Sequence, residues 1–420
     1  MTRRVAMISE HASPLALLGG VDAGGQNVYV DAVSRHLGSH GYAADVFTVW
    51  NDRDQPEVTQ LTDTVRVINV AVSDQPQHKD ALWPLMPAFR DGIRDFAAQS
   101  GQAYDLIHGN FWMSGWVAAE LQDIWAVPAV EIFHATGITK RREQGDADTS
   151  PGDRIDVECD IVRRVDHMIA QCPAERDELL EDYGAHPARV SLIPSAVDIG
   201  RYRPMPQEAA RASLGLDPDA ELIVYVGRVI PRKDIRNVVR ALARLRDRRQ
   251  ASGDESLPTL LIVGGETAEP DIQATPEIGV LQDLANELGV ASHLRFMGRH
   301  QPAELYRWYS AADVAVTTPW YEPFGLTPLE AMACGTPVIG SAVGGIAFTI
   351  ADGETGFLVP PRDPDALASR LDSLLKDRAM RQRMGDAGVA RVVHFFSWSR
   401  VGAETAALYD QVLYHHPTGP

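Results

Sequence analysis

The sequence predicts an α/β protein made of two consecutive doubly wound, parallel-sheet domains, and three observations carry that expectation. Short apolar runs rich in Val and Ile recur, each followed by Gly, Pro or polar residues and then by a stretch of helical period, as in parallel strands joined by crossover helices. The series runs once as "RVAMIS", "YDLIHGN", "AVEIFHATG", "DHMIAQC" and "VSLIPSAVD", then restarts as "ELIVYVGR", "TLLIVGGE", "HLRFMGR", "DVAVTTP", "TPVIGSAVGG" and "GFLVPP". The chain of 420 residues also exceeds what one hydrophobic core usually supports.

The junction falls in "SAVDIGRYRPMPQ", where prolines interrupt any apolar periodicity, giving domains of 1–195 and 196–396. A last helical stretch, about 397–415, follows the second series and could pack on either domain.

Composition excludes several functions. A formal charge of −18 and a pI near 5.1 argue against a nucleic-acid partner, which needs a dense basic footprint. No apolar run approaches a bilayer span and "MTRRVAMISE" turns polar too early for a signal peptide, so a cytoplasmic protein without integral membrane association is expected. Cys159, Cys172 and Cys334 lie far apart, without metal-ligand spacing, and read as buried thiols.

In open parallel sheets, ligands sit at the carboxyl ends of the strands. After the first strand, "GGVDAGGQNVYVDAVSRHL" supplies Gly19, Gly20, Gly24 and Gly25 before a helix whose apolar face is Val28, Ala32, Val33 and Leu37. Backbone N–H groups and a helix dipole there suit a phosphate, although the dinucleotide fingerprint G-x-G-x-x-G is absent and such a turn can be purely structural. "HGNFWMSG" brings Asn110 and Trp112 to a strand end, where they would stack on a ring and bond its hydroxyls, or simply pack. His134 ends "AVEIFHATG" at the same edge; a lone histidine there is more often a packed core residue than a catalyst. The Asp-x-Asp triplets starting at Asp146, Asp217 and Asp363 lie in polar turns and read as turn formers rather than metal ligands.

In the second series, Arg228 stands at a strand end and Lys233 at the threshold of the next helix, a forked and a point cation suited to a diphosphate, or else two solvated charges. "EPFGLTPLEAMACGTPVIGS" carries Glu322 and Glu330 in an otherwise apolar run. Glu330 reads as the third helical residue of a capping box opened by Thr327. Glu322 precedes the helix and has no such local role. A buried carboxylate needs a partner from elsewhere in the fold or from a ligand with paired hydroxyls.

These loops resemble the retaining glycosyltransferases of family 4, whose fold is GT-B, two facing Rossmann-like domains with a cleft between them. The likeness covers nearly the whole chain, and its most specific element is Glu-x7-Glu, matched by Glu322 and Glu330, with Arg228, Lys233 and "DGETGFLVPP" in support. The resemblance implies a nucleoside-diphosphate sugar donor: Glu330 on its ribose, and Glu322 with the backbone N–H groups of Phe324, Gly325 and Leu326 on its sugar. It implies Arg228 and Lys233 on the diphosphate, Gly24 and Gly25 closing over it, His134 touching the transferred sugar, and the last helix crossing back onto the first domain. The base would sit by backbone atoms of Met297 to Arg299, which do not distinguish uracil, guanine and adenine.

The family mechanism is front-face displacement with retention and needs no cofactor or metal, because Arg228, Lys233 and helix N-termini supply positive charge. "GGVDAGGQNVYV" is similar to enzymes making sucrose phosphate, sucrose or inositol glycosides. Lys140, Thr149 and Arg154 match positions that hold a phosphorylated sugar or polyol acceptor, with Asn110 and Trp112 alongside. Phe111 stands where a tyrosine is common, "SAVD" replaces "NGVD", and Asp234 replaces a frequent glycine. The alternatives are a nucleotide-sugar epimerase or phosphorylase of the same fold, a dinucleotide-dependent oxidoreductase, or a hinged sugar-binding protein.

Overall fold

The computed structural model of the protein describes residues 2–16, 24–74 and 79–416. Gly19 and Gly20 of the glycine loop lie outside the described residues. The chain divides into two units: one runs to Ser195 and takes in the helix Trp398–His415, the other is Ala196–Ser397.

In the first unit the strands are β1 (Arg3–Ile8), β2 (Tyr42–Val49), β3 (Val58–Thr62), β4 (Val65–Val70), β5 (Leu106–Asn110), β6 (Ala129–Ile132), β7 (His167–Ala170) and β8 (Val190–Leu192). They form one sheet in the order β3-β4-β2-β1-β5-β6-β7-β8. All neighbours are parallel except β3 and β4, so an antiparallel edge strand closes an otherwise parallel sheet. The strands β2, β3 and β4 were not anticipated. β2 buries a charge at its centre, Asp45, which Arg4 (2.8 Å), Arg66 (2.9 Å) and Tyr104 (2.8 Å) all contact, and so it breaks the apolar pattern by which strands are recognised.

The strands of the second unit are β9 (Leu222–Val226), β10 (Thr259–Val263), β11 (Leu294–Gly298), β12 (Val314–Thr317), β13 (Val338–Ser341) and β14 (Gly356–Val359), in the order β11-β10-β9-β12-β13-β14, all parallel. Each coincides with one apolar run of the second series. Helices on both faces bury these strands, which is why β9 and β10 read as continuous hydrophobic stretches. The helix Ile235–Ala251 shows the complementary period, burying Ile235, Val238, Val239, Leu242 and Leu245.

Strand order reverses direction of growth at β1/β5 in the first sheet and at β9/β12 in the second. Loops leaving adjacent strands on opposite faces part there and leave a crevice, the position that favours ligand binding in such sheets.

The C-terminal helix packs on the helix Gly25–Leu37 within the first unit. A Cβ at position 402 would lie 2.6 Å from the Cβ of His36, so Gly402 permits the close crossing. Tyr409 brings its hydroxyl 2.5 Å from Nδ1 of buried His108, and Val401 and Leu408 are buried, each contributing about 1.5–3 kcal/mol.

Candidate functional site

In the second unit the switch point brings together the loops after β9 and β12. Lys233 ends a short 3-10 turn, Pro231–Lys233, and donates its ammonium to the Glu322 carboxylate. Arg232 lies 3.5 Å from the same carboxylate oxygen and donates to the carbonyl of Tyr321 at 3.1 Å. Burial alone would raise the Glu322 carboxyl, but the two cations outweigh it and hold it below the usual glutamate value. The partner that the apolar context demanded is therefore Lys233, helped by Arg232, which sequence reasoning passed over.

The helix Leu326–Ala333 starts after Gly325, which has a φ of 82°. Thr327 is consequently inside the helix and makes no cap, and the expected capping box does not form. Glu330 instead accepts from the hydroxyl of Tyr309 at 2.7 Å and from Tyr202, while its burial raises it above the usual value. The Glu322 loop rests on Gly344 and Gly345: a Cβ at 344 would lie 2.2 Å from the Glu322 carbonyl oxygen, and one at 345 would lie 2.2 Å from the Phe324 carbonyl oxygen. Among the described residues, the backbone N–H groups of Phe324 and Gly325 donate to no backbone carbonyl.

Arg228 follows β9, with the hydroxyl of Tyr225 donating to its carbonyl at 2.7 Å. Its guanidinium is exposed and forms no ion pair among the described residues, which leaves it available to an anion. Asp234 has φ 48° and ψ 45°, the left-handed geometry that glycine adopts at little cost and aspartate tolerates, so the replacement of glycine leaves the turn unchanged. Around Met297 to Arg299 the backbone is largely committed. The N–H of Arg299 donates to Thr267 at 2.8 Å, the Gly298 carbonyl accepts from Gly264 at 2.8 Å, and the His300 ring nitrogen lies 3.2 Å from the Met297 carbonyl. Of these groups, the carbonyl oxygens alone keep bonding capacity for a base.

In the first unit the loops after β1, β5 and β6 meet. Gly24 and Gly25 open the helix Gly25–Leu37, with the N–H of Gly24 held by the Asn27 side chain at 3.0 Å and no atom within 4 Å of a Cβ at 24. Gln26 ties this helix to the end of β5 by donating to the Asn110 carbonyl at 3.1 Å. His134 stands at a φ of 58° with Nε2 3.2 Å from Oδ1 of Asn110 and its ring edge-on to Tyr29, 4.9 Å between centroids. Burial, with the neighbouring His108 and His11, pushes His134 down to about 3, so the imidazole is neutral at physiological pH.

Asn110 and Trp112 are buried, and Trp112 packs against Trp83 at 4.6 Å between ring centroids. Their structural reading therefore wins over a direct stacking platform, Asn110 serving to orient His134. Lys140 donates to Ser150 at 2.8 Å and pairs with Asp148 at 2.9 Å. Burial would raise Asp148, but bonds from Lys140 and Ser150 lower it to about 2. Arg154 reaches the same Ser150 hydroxyl at 3.2 Å and pairs through Nε with buried Glu158 at 2.8 Å. Thr149 is exposed in the same turn.

Sequence reasoning missed Lys79, whose ammonium lies 4.3 Å from the centroid of the Phe111 ring while the Arg154 guanidinium lies 5.1 Å from it. The nearby residues in sequence gave no signal, because the cluster is assembled by packing on Phe111. Of the Asp triplets, Asp148 serves Lys140, Asp217 caps a turn at 2.9 Å and Asp363 caps the helix Pro364–Lys376 at 2.9 Å. No cluster of three or more metal-ligating side chains occurs among the described residues, the cysteines form no disulfide, and no helix there is long and apolar enough to cross a membrane.

The chain matches the family described as Glycosyltransferase Family 4 over residues 23–201, and Glycosyl transferases group 1 over residues 206–391. It is 34% identical to the D-inositol 3-phosphate glycosyltransferase of Corynebacterium glutamicum, covering 98% of this chain and 97% of that one. It is 37% identical to D-inositol 3-phosphate glycosyltransferase 2 of Catenulispora acidiphila, covering 98% and 96%. Among solved structures, the sucrose-phosphate synthase of Thermosynechococcus elongatus superposes with a TM-score of 0.86 at 33% identity, covering 98% of this chain and 99% of that one. Anabaena HepE, solved with UDP and glucose, shares the fold at a TM-score of 0.72 and 19% identity over 97% and 100% of the two chains. With these matches over both units, the chain belongs to the family 4 glycosyltransferases of GT-B fold and is a glycosyl-transferring enzyme.

Proposed function

We propose that the protein moves a sugar, with retention, from a nucleoside-diphosphate sugar to a hydroxyl of a phosphorylated polyol or sugar. The single observation that carries the acceptor half is the gathering of Lys79, Lys140 and Arg154 about Phe111 and Ser150. Lys140 and Arg154 both reach the Ser150 hydroxyl, and Lys79 and Arg154 both lie over the Phe111 ring. Lys140 and Arg154 are pre-organised by carboxylates of their own, Asp148 and Glu158, with which a doubly charged phosphate would compete. The names of the relatives, inositol 3-phosphate glycosyltransferase and sucrose-phosphate synthase, share a phosphate and support the same reading.

On the donor side, Glu330 takes the ribose hydroxyls and Glu322 those of the sugar, while Arg228 and Lys233 face the diphosphate. As the bond between the anomeric carbon and phosphate oxygen breaks, charge grows on that oxygen, and fixed cations lower the barrier. The acceptor hydroxyl attacks the same face and passes its proton to the departing phosphate oxygen. Neutral His134 serves as a hydrogen-bonding contact to the transferred sugar rather than as a charge.

The test compares inositol 3-phosphate with inositol, and a ketose phosphate with its ketose, as acceptors for wild type, Lys140→Ala and Lys79→Ala. The reading expects a KM for the phosphorylated acceptor raised about tenfold or more, a loss of roughly 1.5–3 kcal/mol per charged bond, with use of the unphosphorylated one unchanged. Equal KM values for variants and wild type would refute the phosphate site.

A further inference from the structure

Among the described residues, five non-glycine residues have a positive φ: Phe111, Ala126, His134, Asp234 and Arg362. Ala126 merely ends a helix, and Phe111 and His134 belong to the acceptor-side loops. Asp234 (φ 48°) and Arg362 (φ 59°) fall together in a place to which the reaction assigns no role. Each is a backbone choice that costs free energy and persists where the surroundings impose it.

Both line a recess of about 200 Å³ in the second unit, with Arg236, Asn237, Arg240 and Trp320. That volume is far above the 10–15 Å³ or so that one water requires. The walls are cationic in a chain whose formal charge is −18. Arg236 is satisfied by a two-bond pair with Glu277, both contacts at 2.6 Å. Arg240 and Arg362 are exposed and form no ion pair among the described residues, and the Arg362 guanidinium lies 4.5 Å from the centroid of the Trp320 ring. Asp234 supplies the one carboxylate of the lining, so the recess keeps a positive balance.

A second observation is independent of charge. Asn237 is 1% exposed, lines the recess and holds an amide Nδ2 with no hydrogen-bond partner among the described residues. A buried N–H donor without an acceptor is costly, and a ligand oxygen would relieve it. The helix Ile235–Ala251 begins at the same place, adding the positive end of its dipole.

We propose that this recess binds a small phosphate-bearing anion, held by Arg240 and Arg362 with the Asn237 amide, at a site beside the donor loops rather than within them. The site is placed to influence donor binding: the backbone N–H of Trp320 donates to the Arg232 carbonyl at 3.2 Å, and Arg232 contacts Glu322.

The test is calorimetric titration of the full chain carrying Lys140→Ala, which disables the acceptor phosphate contact, with inorganic phosphate and, separately, with glycerol phosphate, at constant ionic strength. Saturable binding is expected, and the tighter of the two probes identifies free phosphate or an organic monoester as the source. Arg240→Gln/Arg362→Gln, at exposed side chains without ion pairs, should weaken it at least tenfold. Asp234→Gly, which keeps the left-handed turn and removes the opposing charge, should tighten it severalfold. Arg228→Ala, in the donor loop, should leave it unchanged. Absence of saturable binding, unchanged affinity on adding Arg240→Gln/Arg362→Gln, or loss of binding on adding Arg228→Ala would overturn the proposal.

Discussion

Lys233 donates its ammonium directly to the carboxylate of Glu322, 89 residues further along the chain, so the loops after β9 and β12 are joined by a charge pair at the sheet's switch point. The pair keeps a partly buried glutamate ionised and ready to accept hydroxyl hydrogen bonds. In the proposed reading the same lysine faces the leaving diphosphate as it develops charge.

Replacing Lys233 with Ala should therefore lower kcat/KM by about 10²–10³-fold, the usual loss when one preorganised group facing developing charge is removed. Arg232 stays within reach of Glu322, so the fold should persist. Steady-state kinetics alongside far-ultraviolet circular dichroism would separate the two effects.

Gly344→Ala should act on the same loop without touching any charge. Its φ of 43° and the 2.2 Å approach of a Cβ to the Glu322 carbonyl oxygen force the loop to move. A loss of about 1–3 kcal/mol in unfolding free energy is expected, with weakened nucleotide binding, measurable by denaturant titration and calorimetry.

Glu330→Gln keeps an acceptor for the Tyr309 hydroxyl but removes the charge offered to a ribose. Nucleoside-diphosphate affinity should fall about 10- to 100-fold, since charge-assisted bonds contribute roughly 1.5–3 kcal/mol. Tyr309→Phe should cost less. Equilibrium binding of the nucleotide alone checks both.

Stability should fall in acid because of buried histidines. His108 and His134 are held down to about 3 by burial, while the unfolded chain takes up these protons near 6.5. The unfolded state thus binds more protons below about pH 6.5, and the stabilisation is lost as pH drops from there toward 3. Glu175 works the other way: burial raises it to about 7, so its contribution fades as pH rises from about 4.5 to 7. Melting temperature against pH should be less acid-sensitive in His108→Phe, and should decline less between pH 5 and 7 in Glu175→Gln.

In the proposed reading Arg228 and Lys233 neutralise the diphosphate without a metal, so transfer activity should be unaffected by EDTA. Activity lost to EDTA and restored by magnesium would contradict that role.

Much of this was legible in the residues. The six strands of the second unit are parallel and, apart from the edge strand β11 with its exposed Arg295, largely buried and apolar, so each announced itself, and Glu322, with no local role, pointed to a distant partner. What stayed hidden depended on tertiary approach. β2 carries a buried aspartate whose three partners come from β1, β4 and the segment before β5. Lys79 and Arg154 meet over the ring of Phe111. Thr327 and Glu330 have the spacing of a capping box, yet the left-handed turn at Gly325 starts the helix earlier and hands Glu330 to two tyrosines.

The most direct measurement is thermal unfolding with UDP, GDP, ADP or NAD, each alone at saturation. A ligand at one hundred times its dissociation constant stabilises by about 2.7 kcal/mol, a shift in melting temperature that is readily seen. The account predicts that one nucleoside diphosphate raises the transition, that Glu330→Gln and Arg228→Ala reduce the shift, and that NAD has no effect. A shift with NAD alone, or with none of the four, would contradict the assignment of Glu330, Arg228 and Lys233 to a sugar-nucleotide donor.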